Sequence, residues 1–408
     1  MRMATEANQI SSPQSLALFT GKPHFPEPLH VGRPNIGSQE ALLKRIHEIL
    51  ERRWFTNNGP MVQEFEARLK ETLGVRHCIP ICNATVALEI AIRAMELKGE
   101  VIVPSFTFIA TAHALQWQEI TPVFCDVAPG SHNLDPEQVE RLITPRTSGI
   151  IGVHIWGKAC DHECLARLAS RHGLKVMYDA SHAFGCSSNG QRIGNFGQCE
   201  IFSFHATKFV NSFEGGAIAT NDDELARKIR LMKNFGFSGF DRVTFLGTNG
   251  KMNEMSAAMG LTGIESLQQF IATNRRNYHD YTRGLRDLPG ISTVTYDERE
   301  ENNFQYIVLE VEEAAAGLSR DNLVEILEAE NVLARRYFFP GCHRMEPYRS
   351  YFPHAGLLLP LTEALCERVL VLPNGTALSP SDVAAICSIL RTALSYPEQC
   401  RDRLAARA

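Results

Sequence analysis

The feature that most constrains this fold is the alternation of short apolar runs with helical patterns between residues 78 and 218. The segments between the runs carry apolar residues at three- and four-residue spacing, which is typical of amphipathic helices. The runs are VIVP (101–104), TPVFCDV (121–127), GIIGVHIW (149–156), LKVMYDA (174–180), EIFSF (200–204) and GGAIAT (215–220). Continuous apolar strands separated by helices indicate a parallel sheet covered on both faces. We therefore predict an α/β protein built on a largely parallel sheet.

The regions on either side of this alternation predict how the chain is divided. Residues 1–38 are rich in Pro, Gly and Ser and predict an extended N-terminal arm. Outside the alternation, the spacing of apolar residues predicts a strand at 304–311 and helices at 41–54, 62–73, 222–234, 253–286, 320–330 and 379–394. A break at 287–291 (DLPGI) separates two regions. We predict a large domain over residues 39–286 and a smaller C-terminal α+β domain over residues 287–408, sizes that are usual for domains.

Composition excludes several classes of function. The 408 residues carry 41 Lys and Arg against 46 Asp and Glu, a net charge of −5, whereas nucleic-acid and anionic-membrane binders normally carry a basic surplus. No apolar stretch approaches the roughly 18 residues of a membrane-spanning helix, and the first thirty residues show no secretory signal. The eleven cysteines are irregularly spaced, unlike a secreted disulfide framework. We expect a soluble, cytoplasmic protein without nucleic-acid or membrane partners.

Several common catalytic motifs are missing from the sequence. It contains no GxxxxGK[ST] phosphate loop, no HExxH zinc motif and no GxGxxG that opens a helix after the first strand. Residues 236–240 (GFSGF) do not match the GxSxG pattern of a nucleophilic serine. The close group Cys160-Asp-His-Glu-Cys164 lacks a second pair of ligands, so we predict no metal site.

Residues with useful chemistry gather instead near predicted strand ends, where open parallel sheets bind ligands. Ala84 and Thr85 begin a helix whose free N–H groups suit a phosphate, with an ordinary helix cap as the alternative. Phe108 follows the VIVP strand, where an aromatic side chain either stacks on a ring or packs in the core. Asp179 closes another strand, where a buried carboxylate either pairs with a cation or caps the next turn.

The segment 203–216 (SFHATKFVNSFEGG) is the pattern that most specifically indicates a functional site, because it places a lysine between two predicted strands. Lys208 follows a strand end that faces the end of the Asp179 strand. A lysine at the edge of a buried pocket can lose its proton and act as a nucleophile or a base, whereas a lone lysine is by default a surface residue. Together the four segments fit a cofactor with a phosphate, an aromatic ring, a basic ring nitrogen and an aldehyde. Pyridoxal 5′-phosphate has all four groups.

The sequence also resembles the DegT/DnrJ/EryC1/StrS family of sugar aminotransferases, from about residue 31 to residue 394. The motifs that carry the resemblance stand in family order: LHVGRPN (29–35), FTNNGP (55–60), CNAT (82–85), PSFTF (104–108), ITPVFCDV (120–127), GVHIWG (152–157), YDASHAFG (178–185), FSFHATK (202–208), EGGA (214–217) and PGCHRMEPYR (340–349). The resemblance implies fold type I, in which a mostly parallel mixed sheet covered by helices is joined to the smaller C-terminal domain. It further implies a homodimer with active sites at the subunit interface.

The resemblance implies roles for individual residues of these motifs. Lys208 would form the internal aldimine with pyridoxal 5′-phosphate and would shuttle protons while the cofactor passes through pyridoxamine 5′-phosphate. Asp179 would keep the pyridinium nitrogen protonated, and His182 would contact the ring hydroxyl. Phe108 would stack on the ring. The residues implied to hold phosphate are Ser203, Ala84 and Thr85, together with Asn249, which would reach the cofactor of the partner subunit.

The implied reaction is transamination of a nucleotide-linked keto-deoxysugar. dTDP-4-keto-6-deoxy-D-glucose and L-glutamate would give dTDP-4-amino-4,6-dideoxy-D-glucose and 2-oxoglutarate. The residues implied to border the sugar or the nucleotide are Arg33, Phe55, Thr56, Asn57, Asn58, His343 and Tyr348. Amination at C3 would use the same catalytic residues and is an alternative. A sugar dehydrase is a further alternative, but the dehydrases of the family carry His in place of the lysine. A non-catalytic cofactor-binding regulator is disfavoured because it would not need the complete set of Lys208, Asp179 and Phe108.

Overall fold

The computed structural model describes residues 12–407, so the predicted arm lies partly outside the described residues. Its strands are β1 (Leu29–His30), β2 (His77–Ile81), β3 (Glu100–Pro104), β4 (Thr121–Cys125), β5 (Thr147–Val153), β6 (Lys175–Asp179), β7 (Ser187–Ser188), β8 (Gln191–Arg192), β9 (Cys199–Ser203), β10 (Gly216–Thr220), β11 (Phe237–Gly239), β12 (Arg242–Val243), β13 (Ile291–Thr293), β14 (Ile307–Val311), β15 (Val332–Leu333) and β16 (Val369–Leu372). Its α-helices are α1 (Ala17–Thr20), α2 (Gln39–Arg52), α3 (Pro60–Leu73), α4 (Ala84–Ala94), α5 (Ala110–Gln116), α6 (Pro136–Leu142), α7 (His162–His172), α8 (Asp223–Met232), α9 (Glu254–Glu265), α10 (Leu267–Gly284), α11 (Glu313–Ala316), α12 (Arg320–Ala329), α13 (Tyr348–Tyr351), α14 (Pro360–Arg368), α15 (Pro380–Ser395) and α16 (Pro397–Ala405).

Seven strands form one mixed sheet in the order β2-β10-β9-β6-β5-β3-β4. Strands β9, β6, β5, β3 and β4 pair in parallel, whereas β10 runs antiparallel to both of its neighbours. All residues of β3, β9 and β10 are buried, as expected of strands that have helices on both faces. The predicted α/β fold with a mostly parallel sheet is confirmed.

Different helices cover the two faces of this sheet. In β3, Ile102 packs into one core with α3, α7 and α9, while Val101 and Val103 pack into another core with α4, α5 and α8. The side chains alternate because successive residues of a strand point to opposite faces. Since both faces are filled, a ligand can reach the sheet only where the strands end.

A second sheet belongs to the C-terminal part of the chain and has the antiparallel order β13-β14-β16. Apolar residues of α10, α12, α15 and α16 pack in its core, and the buried Leu16 and Leu18 of the N-terminal segment join them. Glu330 holds that segment, because its carboxylate accepts the backbone N–H groups of Ala17 at 2.6 Å and His24 at 2.8 Å. The domain boundaries at residues 39 and 287 stay a prediction.

Helix α9 is buried on most sides and anchors the start of α3. Its Glu254, with 1% of the residue exposed, accepts the backbone N–H groups of Met61 at 2.9 Å and Val62 at 3.1 Å. The N–H of Glu254 in turn donates to the carbonyl oxygen of Phe55 at 3.0 Å. A carboxylate at a helix start is favourable because the first N–H groups have no acceptor within the helix. Glu254 therefore fixes both α3 and the loop that precedes it.

Replacing Glu254 by alanine should lower the free energy of unfolding by about 2–3 kcal/mol, because two buried N–H groups lose a charged acceptor. Urea unfolding followed by circular dichroism measures the change. Glu64→Ala on the exposed side of α3 is the matched control, and its effect should stay within about 0.5 kcal/mol. Equal stability of the two variants would contradict this role of Glu254.

Candidate active site

Strand pairing brings the predicted residues to one edge of the seven-stranded sheet. Asp179 is the last residue of β6 and pairs with Ile201 of β9, and β9 ends two residues later at Ser203. Ser203 pairs with Gly216, the first residue of β10. Lys208 lies in the connection between β9 and β10. Because β10 reverses direction, this connection stays at the edge where β6 ends.

The start of α4 lies against the same edge. A Cβ atom on Gly216 would lie 2.7 Å from the backbone nitrogen of Ala84, so glycine allows β10 to approach the helix this closely. Asn83 caps the helix, because its Oδ1 accepts the N–H of Val86 at 2.8 Å. The N–H groups of Ala84 and Thr85 have no acceptor within the helix, as in the first turn of any α-helix. This arrangement suits a phosphate.

Asp179 is a buried carboxylate that accepts hydrogen bonds from two uncharged donors. With 6% of the residue exposed, it accepts the hydroxyl of Thr111 at 2.9 Å and the backbone N–H of Ser181 at 3.0 Å. The hydroxyl of Thr107 lies 3.2 Å from that of Thr111. A buried carboxylate is costly without a positive partner, and a protonated ring nitrogen of a ligand would supply one.

Lys208 is partly buried, and its Nζ lies 3.3 Å from Oη of Tyr306. Burial lowers the pKa of Lys208 to about 8, although the charge of Asp179 acts in the opposite direction. A useful fraction of the amine is therefore unprotonated near neutral pH. Only that form can act as a nucleophile or as a base.

His182 is buried near Lys208, and its hydrogen bonding indicates which ring nitrogen carries the proton. Burial, reinforced by the charge of Lys208, lowers the pKa of His182 well below its ordinary value, so the ring is neutral. Nδ1 accepts the backbone N–H of Trp156 at 3.3 Å, which leaves the proton of the neutral ring on Nε2. The ring also stacks on Trp156, with 5.7 Å between centroids. His182 can therefore donate one hydrogen bond to an oxygen of a ligand.

Phe108 lies in the connection that follows β3, and 59% of the residue is exposed. It follows Thr107 and precedes α5 by two residues. Thr107 contacts Thr111, whose hydroxyl donates to Asp179. An exposed aromatic ring at this position is available to pack on a flat ligand.

Five of the residues implied to border the sugar or the nucleotide are exposed. Phe55, Thr56, Asn57 and Asn58 form the loop before α3. Arg33 is exposed and follows Gly32, which packs against Thr207 beside the lysine.

Asn249 lies in the segment between β12 and α9, and it is exposed. Its carbonyl oxygen lies 3.9 Å from Sγ of Cys82, two residues before α4 begins. The next residue, Gly250, accepts the backbone N–H of Cys82 at 2.8 Å. The structure thus places Asn249 beside the start of α4 of the same chain.

His343 and Tyr348 are buried instead, and their polar atoms have protein partners. The ring nitrogens of His343 lie 2.7 Å from the hydroxyl of Ser105 and 2.6 Å from the carboxylate of Glu363. The Tyr348 hydroxyl lies 2.9 Å from Nδ1 of His113. These contacts fix the segment to the strand-end region, and a direct contact of either residue with substrate stays a prediction.

The Cys160–Cys164 group is not arranged as a metal site. The thiol of Cys160 lies 3.0 Å from the carbonyl oxygen of Val153. Across residues 12–407, His, Cys, Asp and Glu side chains form no cluster able to hold a metal ion. Within the same range, no helix combines the length and the apolar character needed to span a bilayer.

Two residues near the site were missed by sequence reasoning. Thr111 stands three residues after Phe108 in the run FTFIAT (106–111), and its hydroxyl at helical spacing from Phe108 is the signal that could have identified it. No such signal marks Tyr306, because the run FQYIVLEV (304–311), in which it stands, predicts only a strand.

Comparison with known proteins decides the family. Residues 37–391 match the DegT/DnrJ/EryC1/StrS aminotransferase family. The chain belongs to this family. The dTDP-4-amino-4,6-dideoxy-D-glucose transaminase of Shigella dysenteriae is 38% identical over 90% of this chain and 99% of that protein. GDP-perosamine synthase of Caulobacter vibrioides is 34% identical over 89% of this chain and 97% of that protein.

A solved structure of DesI in the presence of its TDP-sugar product is also similar. It is 46% identical, covers 97% of this chain and 99% of its own, and has a TM-score of 0.91. A complex of DesV with a ketimine intermediate is 29% identical, with a TM-score of 0.81 over 88% of this chain and 95% of its own. The predicted family, fold and enzyme class are confirmed.

The amine of Lys208 should be unusually reactive in the cofactor-free protein. Acylation by acetic anhydride, followed by mass spectrometry of the peptide that contains Lys208, should rise with pH around a midpoint of about 8, because burial disfavours the ammonium form. Asp179→Asn should move the midpoint lower, since the carboxylate charge opposes the effect of burial. A midpoint near the ordinary lysine value of about 10.4 would contradict this environment.

Proposed function

We propose that this protein is a pyridoxal 5′-phosphate-dependent aminotransferase that acts on a nucleotide-linked 4-keto sugar. dTDP-4-keto-6-deoxy-D-glucose and L-glutamate give dTDP-4-amino-4,6-dideoxy-D-glucose and 2-oxoglutarate. The convergence of Lys208, Asp179, His182 and the start of α4 at one sheet edge carries the proposal. The similarity to DesI and to the Shigella transaminase supports the choice of sugar.

The residues of the site fit this cofactor. The N–H groups at the start of α4 and the hydroxyl of Ser203 would hold its phosphate. Asp179 would pair with the ring nitrogen, His182 would donate Nε2–H to the ring hydroxyl, and Phe108 would pack on the ring face. When bound, the cofactor supplies an aldehyde that captures amines and a ring that accepts electrons from the substrate carbon.

Lys208 moves the proton in this reaction. Its neutral amine would hold the cofactor at the aldehyde carbon and would be freed when the amine of glutamate displaces it. The free Nζ would then take the proton from Cα of glutamate and return it at the cofactor carbon, to which the electron pair of the broken C–H bond would pass through the ring. The same proton transfers, in reverse, would serve the keto sugar. Asp179 lies near enough to influence the charge of this amine.

We also propose that the protein is a homodimer whose active sites lie at the subunit interface. The hairpin formed by β11 and β12 exposes apolar side chains, and Phe240 at its tip is fully exposed. Exposed apolar patches are typical of protein interfaces. Asn249 follows this hairpin, so docking of the hairpin on the partner would bring the Asn249 segment to the interface.

We propose the cytoplasm as the compartment of this protein. All eleven cysteines lie within the described residues, and none of them forms a disulfide. Free thiols in this number are usual in the reducing cytoplasm.

The sugar substrate can be tested directly. Protein supplied with pyridoxal 5′-phosphate, L-glutamate and dTDP-4-keto-6-deoxy-D-glucose should give a product with nitrogen on C4 by NMR. The GDP-linked 4-keto sugar is the comparison substrate, because one relative is named for a GDP-sugar. Lys208→Ala should lose the cofactor's yellow absorbance and at least about 10²–10⁴-fold of the rate. A product aminated at C3, or a fully active Lys208→Ala variant, would contradict the proposal.

The dimer is tested by introducing charge into the hairpin. Phe240→Asp should convert a dimer to monomers in sedimentation velocity, because a carboxylate is costly to bury in an apolar interface. Trp117→Asp is the matched control, since Trp117 is 82% exposed and lies at the end of α5, outside the hairpin. A Phe240→Asp protein that remains dimeric would show that the hairpin does not hold the subunits together.

A further inference from the structure

Tyr306 lies next to the reacting amine although it comes from the C-terminal part of the chain. It stands immediately before β14, and its Oη lies 3.3 Å from Nζ of Lys208. Within residues 12–407, this hydroxyl is the only side-chain hydrogen-bond partner of that amine. None of the roles described above for Lys208, Asp179 and His182 uses it.

Packing fixes the phenol of Tyr306. Its ring lies 4.4 Å from the ring of His182 and 5.2 Å from the ring of Trp156, measured between centroids. The hydroxyl of Tyr296 donates to the carbonyl oxygen of Tyr306 at 2.8 Å. With 6% of the residue exposed, Tyr306 has little room to change rotamer. The hydroxyl is therefore held in place whether or not Lys208 is attached to another group.

A phenol is suited to a partner that changes its charge. Burial raises the pKa of Tyr306 well above its ordinary value, so the hydroxyl keeps its proton throughout the working range. The phenol oxygen can accept a hydrogen bond from an ammonium group, and its O–H can donate to a neutral amine. A carboxylate at this position would instead favour the ammonium form of Lys208 and oppose its action as a base.

We propose that Tyr306 is a positioning residue that holds the free amine of Lys208 in place between the two proton transfers. The inference rests on the proposed function, in which Nζ takes a proton from one carbon and returns it to another. A flexible lysine side chain released from the cofactor would otherwise occupy several rotamers. Tyr306 neither loses nor gains a proton in this role; it only exchanges hydrogen bonds with Nζ.

Tyr306→Phe tests the proposal because it removes the hydroxyl and keeps the ring. Single-turnover reaction of the loaded enzyme with L-glutamate should slow by about tenfold to a hundredfold, as expected for loss of a hydrogen bond to a charged group. The primary isotope effect with 2-deuterated glutamate should increase, because proton transfer becomes more rate-limiting. The KM for glutamate should change little, because the hydroxyl contacts Lys208 and not the amino acid.

A second readout needs no cofactor. In the cofactor-free protein, the acylation midpoint of Lys208 should move lower by roughly 0.5–1 pH unit in Tyr306→Phe, because the ammonium form loses an acceptor. Tyr281→Phe is the matched control: Tyr281 is also buried, and its hydroxyl donates to the carbonyl oxygen of Pro373 at 3.1 Å, away from the lysine. Both variants lose one buried hydrogen bond, so a general loss of stability should affect them alike.

The outcomes separate this inference from the proposed function. A Tyr306→Phe protein with the wild-type rate, isotope effect and acylation midpoint would show that Tyr306 only packs, and would overturn the inference. A slower Tyr306→Phe protein matched by an equally slow Tyr281→Phe protein would overturn it as well. A wild-type protein that aminates no sugar would contradict the proposed function, and the acylation midpoint alone would then decide whether Tyr306 holds the amine.

Discussion

The antiparallel pairing of β10 with β9 is the constraint on which the site depends. In a purely parallel sheet, a crossover would carry the chain away from the edge after β9. The reversal instead pairs Ser203 with Gly216 and leaves the connection that contains Lys208 at the edge where β6 ends. The absence of a side chain at Gly216 then lets the start of α4 approach. One strand reversal thus brings an amine, a carboxylate and a set of free N–H groups to the same place.

Electrostatics at this edge depends on a balance between burial and charge. Burial disfavours the ammonium of Lys208, whereas Asp179 favours it, and the resulting pKa of about 8 keeps the amine available in both forms. The same burial keeps His182 neutral. A more deeply buried lysine would have a still lower pKa and would seldom carry the charge that pairs with Asp179. A more exposed lysine would keep its ordinary pKa and stay protonated at neutral pH.

Buried amide side chains connect the two parts of the chain at the site. Asn303 donates to the carbonyl oxygens of His182 at 2.8 Å and Phe184 at 3.1 Å. Asn35 donates to the carbonyl oxygen of Phe209, next to the lysine, and its Oδ1 accepts the N–H of Thr376. These bonds hold the loops of the large sheet on the C-terminal part. They explain how Tyr306, 98 residues from Lys208 in sequence, meets it at hydrogen-bond distance.

The sequence by itself determined six of the seven strands of the large sheet, all but β2, and it predicted that the strand ends near Asp179 and Lys208 meet. Those features depend on local apolar pattern and on the common direction of parallel strands, and both are visible in a linear chain. The helix predicted over 253–286 was found as two helices, since the chain turns at Ser266, a position that the spacing does not mark.

Only the tertiary structure decided which polar residues face the site. His343 and Tyr348 were predicted to border the substrate, yet they are buried against Ser105, Glu363 and His113. Tyr306, which lies in an ordinary strand pattern, reaches the amine. Local periodicity indicates whether a residue is buried, but the partner of a buried polar atom comes from a distant segment. Polar groups removed from water need a hydrogen-bond partner, and the packing of distant segments determines which residue supplies it.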